Sequence, residues 1–326
     1  MRSERRRAAA YRAHMRFETP ITSVDDGSGP RLEGPYRSPA QMLADQSYDG
    51  HHSVHDDTTA ASLGLAGAPI EAPTHFSQID PLAVAQWGEV WFERGCVSCH
   101  FRTMVVEGEE VQATLTPTGE TTATVEAHKA DGTPVLTGTA SIGAEPRETE
   151  LGRRLHALGD PGELFVIDRL HVGMRSATPE TATLARHERN GDSYPFSLED
   201  KLARITEPHP WYTEEGGASS PWGRAVVPFE MISVLANKGR VGWPVRTPSL
   251  GLFLDLEVAL RAPVFVDQPY VLERELVGLG QSRRTESYWT RTTITDADTG
   301  ELTATVLLHS GVFKESYPGY PRDRLT

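Results

Sequence analysis

Two apolar segments with helix-like spacing, each followed by four stretches of alternating apolar and polar residues, set the plan of the chain. In residues 73–87, Phe76, Ile79, Leu82, Ala83 and Trp87 recur at helical intervals, which predicts a buried helix. Pro81 interrupts that pattern and Asp80 offers a second cap, so a kink or two short helices is expected. Residues 96–105, 110–115, 121–129 and 135–142 read as strands, the last two joined across Ala130-Asp131-Gly132-Thr133. The pattern then restarts. Residues 228–236 carry Phe229, Ile232, Val234 and Leu235 as a second helix. Strand candidates follow at 251–262, 270–279, 285–295 and 302–313, with a turn at Asp296-Ala297-Asp298-Thr299-Gly300. Three smaller expectations complete the reading: a helical turn over 38–46 with Ser38 as cap and Pro39 at the first helical position, a strand over 164–173, and a mixed segment over 195–205.

Pro73 and Pro228 lie 155 residues apart, and the hairpin glycines Gly132 and Gly300 lie 168 apart. A nearly constant offset makes the halves copies of one unit, an α+β arrangement of a helix followed by an antiparallel meander. The organisation expected is a polar basic tail over 1–30, a first domain over 31–145, a hinge over 146–162 and a second domain over 163–326. On the same duplication, His75 and Glu230 stand at equivalent places one turn into their helices.

Composition narrows the classes open to such a fold. The 326 residues carry a net charge of -13, which argues against a nucleic-acid surface, since that requires a basic stripe to displace counterions from phosphates. No run of 18 apolar residues is present, so no membrane span is expected, and the Arg-rich N-terminus lacks the apolar core of a secretory signal. A cytoplasmic location is the expectation. Lysine occurs only at 129, 201, 238 and 314, leaving arginine as the main cation.

The candidate chemistry concentrates ahead of the first helix, in Tyr48-Asp49-Gly50-His51-His52-Ser53-Val54-His55-Asp56-Asp57. A histidine beside carboxylates suits proton transfer near neutral pH. Three histidines with Asp56 and Asp57 also contain enough donors for a metal, but loop histidines without fixed geometry are usually solvated. Cys96 and Cys99, the only cysteines, spell Cys-x-x-Cys-His with His100. On a strand their side chains point to opposite faces, which argues against a disulfide or haem attachment. Gly278-Leu279-Gly280 lies between strand candidates with no helix after it, so it reads as a bulge rather than a dinucleotide loop. Arg283 and Arg284 suit either a ligand phosphate or an exposed strand face.

These residues resemble the MaoC-like (R)-specific enoyl-CoA hydratases and dehydratases, whose motif reads Asp-x-Asn-Pro-aliphatic-His before an acidic residue, a Gly-hydrophobic loop and a Pro-Ile entrance to the helix. Val54, His55, Asp57, Ala61, Gly64-Leu65 and Pro69-Ile70 fit it. Gly50 stands at the catalytic Asp position, His52 at the Asn and Ser53 at the Pro, with Asp49 one residue away. In the second half, Glu207 and Tyr212 can be laid loosely on the same pattern. The resemblance implies a double hot-dog fold, His55 as the acid–base residue with Asp49 and Asp57 as supporting carboxylates, and a substrate site formed by Ile70, Thr74 and His75. It further implies an acyl-CoA or acyl-carrier thioester as ligand, no cofactor or metal, and a homodimer as the assembly. A developing enolate needs donors at the helix start; Pro73 has no N–H, so Thr74 is the candidate there. Two other readings stay open: a catalytically silent thioester-binding or partner subunit, and a hot-dog thioesterase in which Asp49 or Asp57 activates water.

Overall fold

A computed structural model describes residues 17–25, 27, 29–48, 51–143, 148–239 and 242–325. Strands β1 (Thr22–Asp25) and β2 (Pro30–Glu33) form an edge hairpin, and β3 (Ser47–Tyr48) pairs with β4 (His51–His52) as a small separate ladder. The first meander comprises β5 (Gly95–Phe101), β6 (Val111–Pro117), β7 (Thr122–Lys129) and β8 (Pro134–Ile142). After β9 (Glu180–Thr183) comes the second: β10 (Gly251–Leu260), β11 (Pro269–Gln281), β12 (Thr285–Asp296) and β13 (Leu302–Phe313).

All strands except β3 and β4 join one sheet in the order β1-β2-β6-β7-β8-β5-β10-β13-β12-β11-β9. Read from the middle outward, the two halves repeat: the strand after the helix is central, the fourth and third follow, the second lies outside, and a strand preceding the helix closes the edge. The halves meet through antiparallel pairing of β5 with β10, Val97 opposite Val258. The strand period of two explains how one face becomes the core: on β6 and β7, Val111, Ala113, Leu115, Ala123, Val125 and Ala127 are buried while their neighbours are more exposed.

Two helices lie against that face. The first (Phe76–Trp87) is entered through a 3-10 turn (Ala72–His75), and the second spans Phe229–Ala236. Phe76, Ile79 and Leu82 share a single core with Phe229, Ile232 and Leu235, and the Phe229 ring stacks on Trp91 with centroids 4.5 Å apart. The fold is thus a double hot-dog, each half a sheet curled against one helix.

Several local expectations require correction. Pro81 does not divide the first helix, and Asp80 does not cap a second one: its two carboxylate oxygens accept from Trp91 Nε1 at 2.9 Å and Tyr212 Oη at 3.0 Å. Tertiary partners therefore hold the side chain that would have capped a break. The helices begin at Phe76 and Phe229, so Glu230 is the counterpart of Ser77 and His75 that of Pro228; the proline spacing was two residues out of register. Residues 38–46 form no helix, because Arg37 bridges to Val111 and the Gln41 side-chain oxygen Oε1 takes the Leu43 N–H at 2.8 Å. Residues 164–173 form no strand. There the buried carboxylate of Glu286 accepts the N–H groups of Phe165, Val166 and Ile167 at 2.8 to 3.1 Å, serving as the partner a neighbouring strand would have provided.

The linking stretch contains a helix, Glu150–His156, capped by Thr149 and fixed to the outer face of the sheet by the Leu151 N–H donating to Ser98 Oγ at 2.9 Å. Cys99 faces the core on β5 and Cys96 lies on the opposite side; both are buried thiols. At Gly278 the β11–β12 register shifts, placing a bulge there. No helix among the described residues is long and apolar enough to cross a membrane.

Candidate active site

A cavity of about 990 Å³ opens where the two halves meet. The loop before the first helix contributes Val54, His55, Pro69, Ile70, Glu71 and His75, and the second half contributes Asn190, Tyr194, Trp243, Leu252 and Phe253. Its walls mix apolar side chains with polar ones, among them Glu71 and His75 at the 3-10 turn of the helix entrance. Volume and lining fit a sizeable, mostly apolar ligand with one polar end.

His55 is placed by local backbone structure. Asp56 caps the short helix Asp57–Ser62 by accepting the Thr59 N–H at 2.8 Å, and the loop after it returns so that His55 Nδ1 donates to the Pro69 carbonyl at 2.6 Å. A carbonyl can only accept, so Nδ1 holds the hydrogen and Nε2 keeps its lone pair. Burial lowers the imidazole pKa, and the Pro69 bond and the charge of Glu71 oppose that only in part. His55 is therefore a neutral base at pH 7.

The other sequence-predicted residues take different positions. Asp49, with Gly50, lies outside the described residues. Asp57 is exposed and accepts the Ala68 N–H at 3.1 Å, bracing the loop from the surface; Asp56, not Asp57, is the cap. Ile70 is buried in the cavity wall, its N–H donated to Val105 at 2.8 Å. Thr74 gives its N–H to the Glu71 carbonyl at 3.1 Å, and its hydroxyl accepts from Lys201 Nζ at 2.8 Å. That amide is engaged within the turn. His75 lines the cavity, with burial and the nearby Lys201 charge pushing its pKa down to about 4, so its ring is also neutral.

The network behind these residues was not foreseen. Lys201, buried on the short helix Leu198–Leu202, places Nζ 3.2 Å from both Glu71 Oε2 and Glu230 Oε2. Burial alone would lower the ammonium's pKa, but the two carboxylates outweigh it and hold Lys201 charged. One ammonium cannot neutralise two carboxylates. Burial raises Glu230 to about 7, so Glu230 retains a proton toward neutral pH. Glu71 and Lys201 are 130 residues apart, and only the carboxylate's place in Pro-Ile-Glu-Ala-Pro, among apolar residues at a helix entrance, marks it in the sequence.

Glu207, His209 and Tyr212 in the second half do not line this cavity. Glu207 accepts from Arg37 at 2.6 Å and from the Thr19 hydroxyl, while Phe17, Phe92, Trp211 and Tyr212 pack around the His209 ring. His51 and His52 belong to the β3–β4 ladder, and among the described residues no three His, Cys, Asp or Glu side chains converge as metal ligands do. Arg284 is tied to Glu315 and to the Leu63 carbonyl rather than lining the cavity.

Fold and site together define a double hot-dog protein with a cavity between its halves. Solved structures of that architecture are similar across nearly the whole chain. One, described as a MaoC domain protein dehydratase from Chloroflexus aurantiacus J-10-fl, is 12% identical with a TM-score of 0.52, covering 93% of this chain and 96% of its own. A conserved protein from Mycobacterium tuberculosis with a double hotdog fold is 13% identical with a TM-score of 0.51, covering 93% and 98%. A thioesterase II from Thermobifida fusca YX is 14% identical with a TM-score of 0.43, covering 93% and 97%. No family profile matches the sequence, and no curated protein matches it.

Proposed function

We propose that the chain hydrates enoyl thioesters or dehydrates the corresponding 3-hydroxyacyl thioesters, with His55 as the acid–base residue. The observation that carries this reading is an imidazole with its Nδ1 fixed on the Pro69 carbonyl, so that Nε2 keeps its lone pair, in the wall of a cavity of about 990 Å³. The acyl chain occupies the apolar walls between the halves, with its reactive carbons beside His55.

In the forward direction Nε2 takes a proton from water as the water oxygen bonds to Cβ of the enoyl group. The π electrons move toward the thioester carbonyl, and the imidazolium returns the proton to Cα. One water is added and His55 is regenerated. Dehydration is the reverse, and neither direction needs a redox partner. The exposed Asp57 holds the loop that presents His55.

The test is incubation of the purified protein with crotonyl-CoA while enoyl absorbance and free thiol are followed together. Loss of absorbance without thiol is expected. Thiol release would instead assign a thioesterase, and bound CoA ester with no change in either signal would assign a silent binding subunit.

A further inference from the structure

Glu71 is the one buried carboxylate of the Lys201 network that also lines the cavity. Its Oε2 faces Lys201, while its Oε1 is buried and accepts no hydrogen bond among the described residues. A carboxylate oxygen held dry and unpartnered at a cavity wall calls for a physical account, because ordinary packing satisfies such atoms. The titratable and charged groups sharing the cavity with His55 are Glu71, His75, Arg102, Asp192, Tyr194 and Tyr288. Of these, His75 is neutral, burial holds both tyrosines in the phenol form, and the charge that acts on the His55 ring is that of Glu71.

We infer that Glu71 is the acidic partner of His55, a positioning residue that stabilises the imidazolium formed during turnover from across the cavity. This rests on reading His55 as the base. The arrangement assigns to the helix entrance a task for which position 50, a glycine, has no side chain. Lys201 completes it: its ammonium pairs with Oε2 at 3.2 Å and leaves Oε1 without a hydrogen-bond partner among the described residues. Glu230 takes up the proton balance behind them, so the wall need not hold two bare carboxylates around one ammonium.

The test uses the full chain with Glu71→Gln and Glu71→Asp. Gln removes the charge but leaves Lys201 paired with Glu230. NMR titration of labelled imidazoles, with the His55 signal assigned by its loss in His55→Ala, should show the His55 pKa lower in Glu71→Gln than in wild type. The acid limb of kcat/KM for the enoyl thioester should move to lower pH in parallel, with kcat at neutral pH down about tenfold, the equivalent of one pKa unit. Glu71→Asp restores the charge and should return the limb most of the way. An unchanged His55 titration and an unmoved acid limb in Glu71→Gln would overturn the inference. The NMR readout does not depend on turnover, so a wild-type protein inactive on enoyl thioesters would end the proposed reaction while the Glu71–His55 coupling is still decided. Should Glu71→Gln fail to fold, Glu71→Ser, which also removes the charge, takes its place in the same titration, and an undisplaced His55 pKa there overturns the coupling.

Discussion

Asp80 shows what burial does to a single ionisable side chain. It is buried between the two helices, bonded to Trp91 and Tyr212, and burial pushes its carboxyl up to about 7. Its ordinary value is 3.8, so between roughly pH 4 and 7 the folded chain holds a proton that the unfolded chain has released. The contribution of Asp80 to stability therefore falls as pH rises through that window, and Glu230, also raised to about 7, falls with it, while His75, lowered to about 4, and His55, also lowered, contribute in the opposite sense below the ordinary histidine value. Asp255, held near 2 on balance by His100 and His309 against its burial, acts only in strong acid and does not interfere. In thermal melts from pH 4.5 to 8, Asp80→Asn, which keeps an acceptor for Trp91, should gain in midpoint relative to wild type as pH rises, since Glu230, His55 and His75 titrate in both proteins. Parallel slopes for the two proteins would contradict this. At this scale the sequence made His55 legible, since its partner Pro69 belongs to the same short loop. Glu71 and Lys201 were not legible, because their pairing depends on a chain crossing 130 residues long.

The strands and helices were largely readable because their periods are set by which face is buried. Elements fixed by a distant side chain were not. The segment after Leu164 carries strand-like residues, yet its amides are taken by Glu286, 119 to 121 residues away. Glu286→Ala should lose those charge-assisted bonds and lower stability by roughly 3 kcal/mol, read from the denaturant midpoint. A midpoint equal to wild type would mean the segment is held by its apolar contacts alone. A second test concerns the sheet. Gly138 on β8 lies opposite Cys99 on β5, and a Cβ there would fall 2.2 Å from the Ser98 carbonyl oxygen. Gly138→Ala forces backbone to move and should cost about 1–3 kcal/mol. An unperturbed midpoint would show that β5 and β8 can separate without loss.

Over the whole molecule, duplication gives two similar halves, but the structure uses them unequally. The β5–β10 pairing runs the sheet through both, and one core takes residues from both helices. Urea unfolding followed by tryptophan fluorescence and far-UV circular dichroism should therefore give one coincident transition, and separate transitions would show that the halves fold independently. The first half keeps its loop open onto the shared cavity, while the second fills the corresponding region with Phe17, Trp211 and Tyr212. The doubled fold was legible in the repeated pattern. This inequality was not, because Phe17 reaches the second half from the far end of the chain.

If His55 carries the proton transfer of the proposed reaction, its loss must show in kcat/KM for enoyl-thioester hydration, compared between wild type and His55→Ala across pH. A loss of about a hundredfold or more in the variant is predicted. With it should go the acid limb that in wild type lies below the ordinary histidine range. A variant that matches wild type in both rate and pH profile would contradict the account.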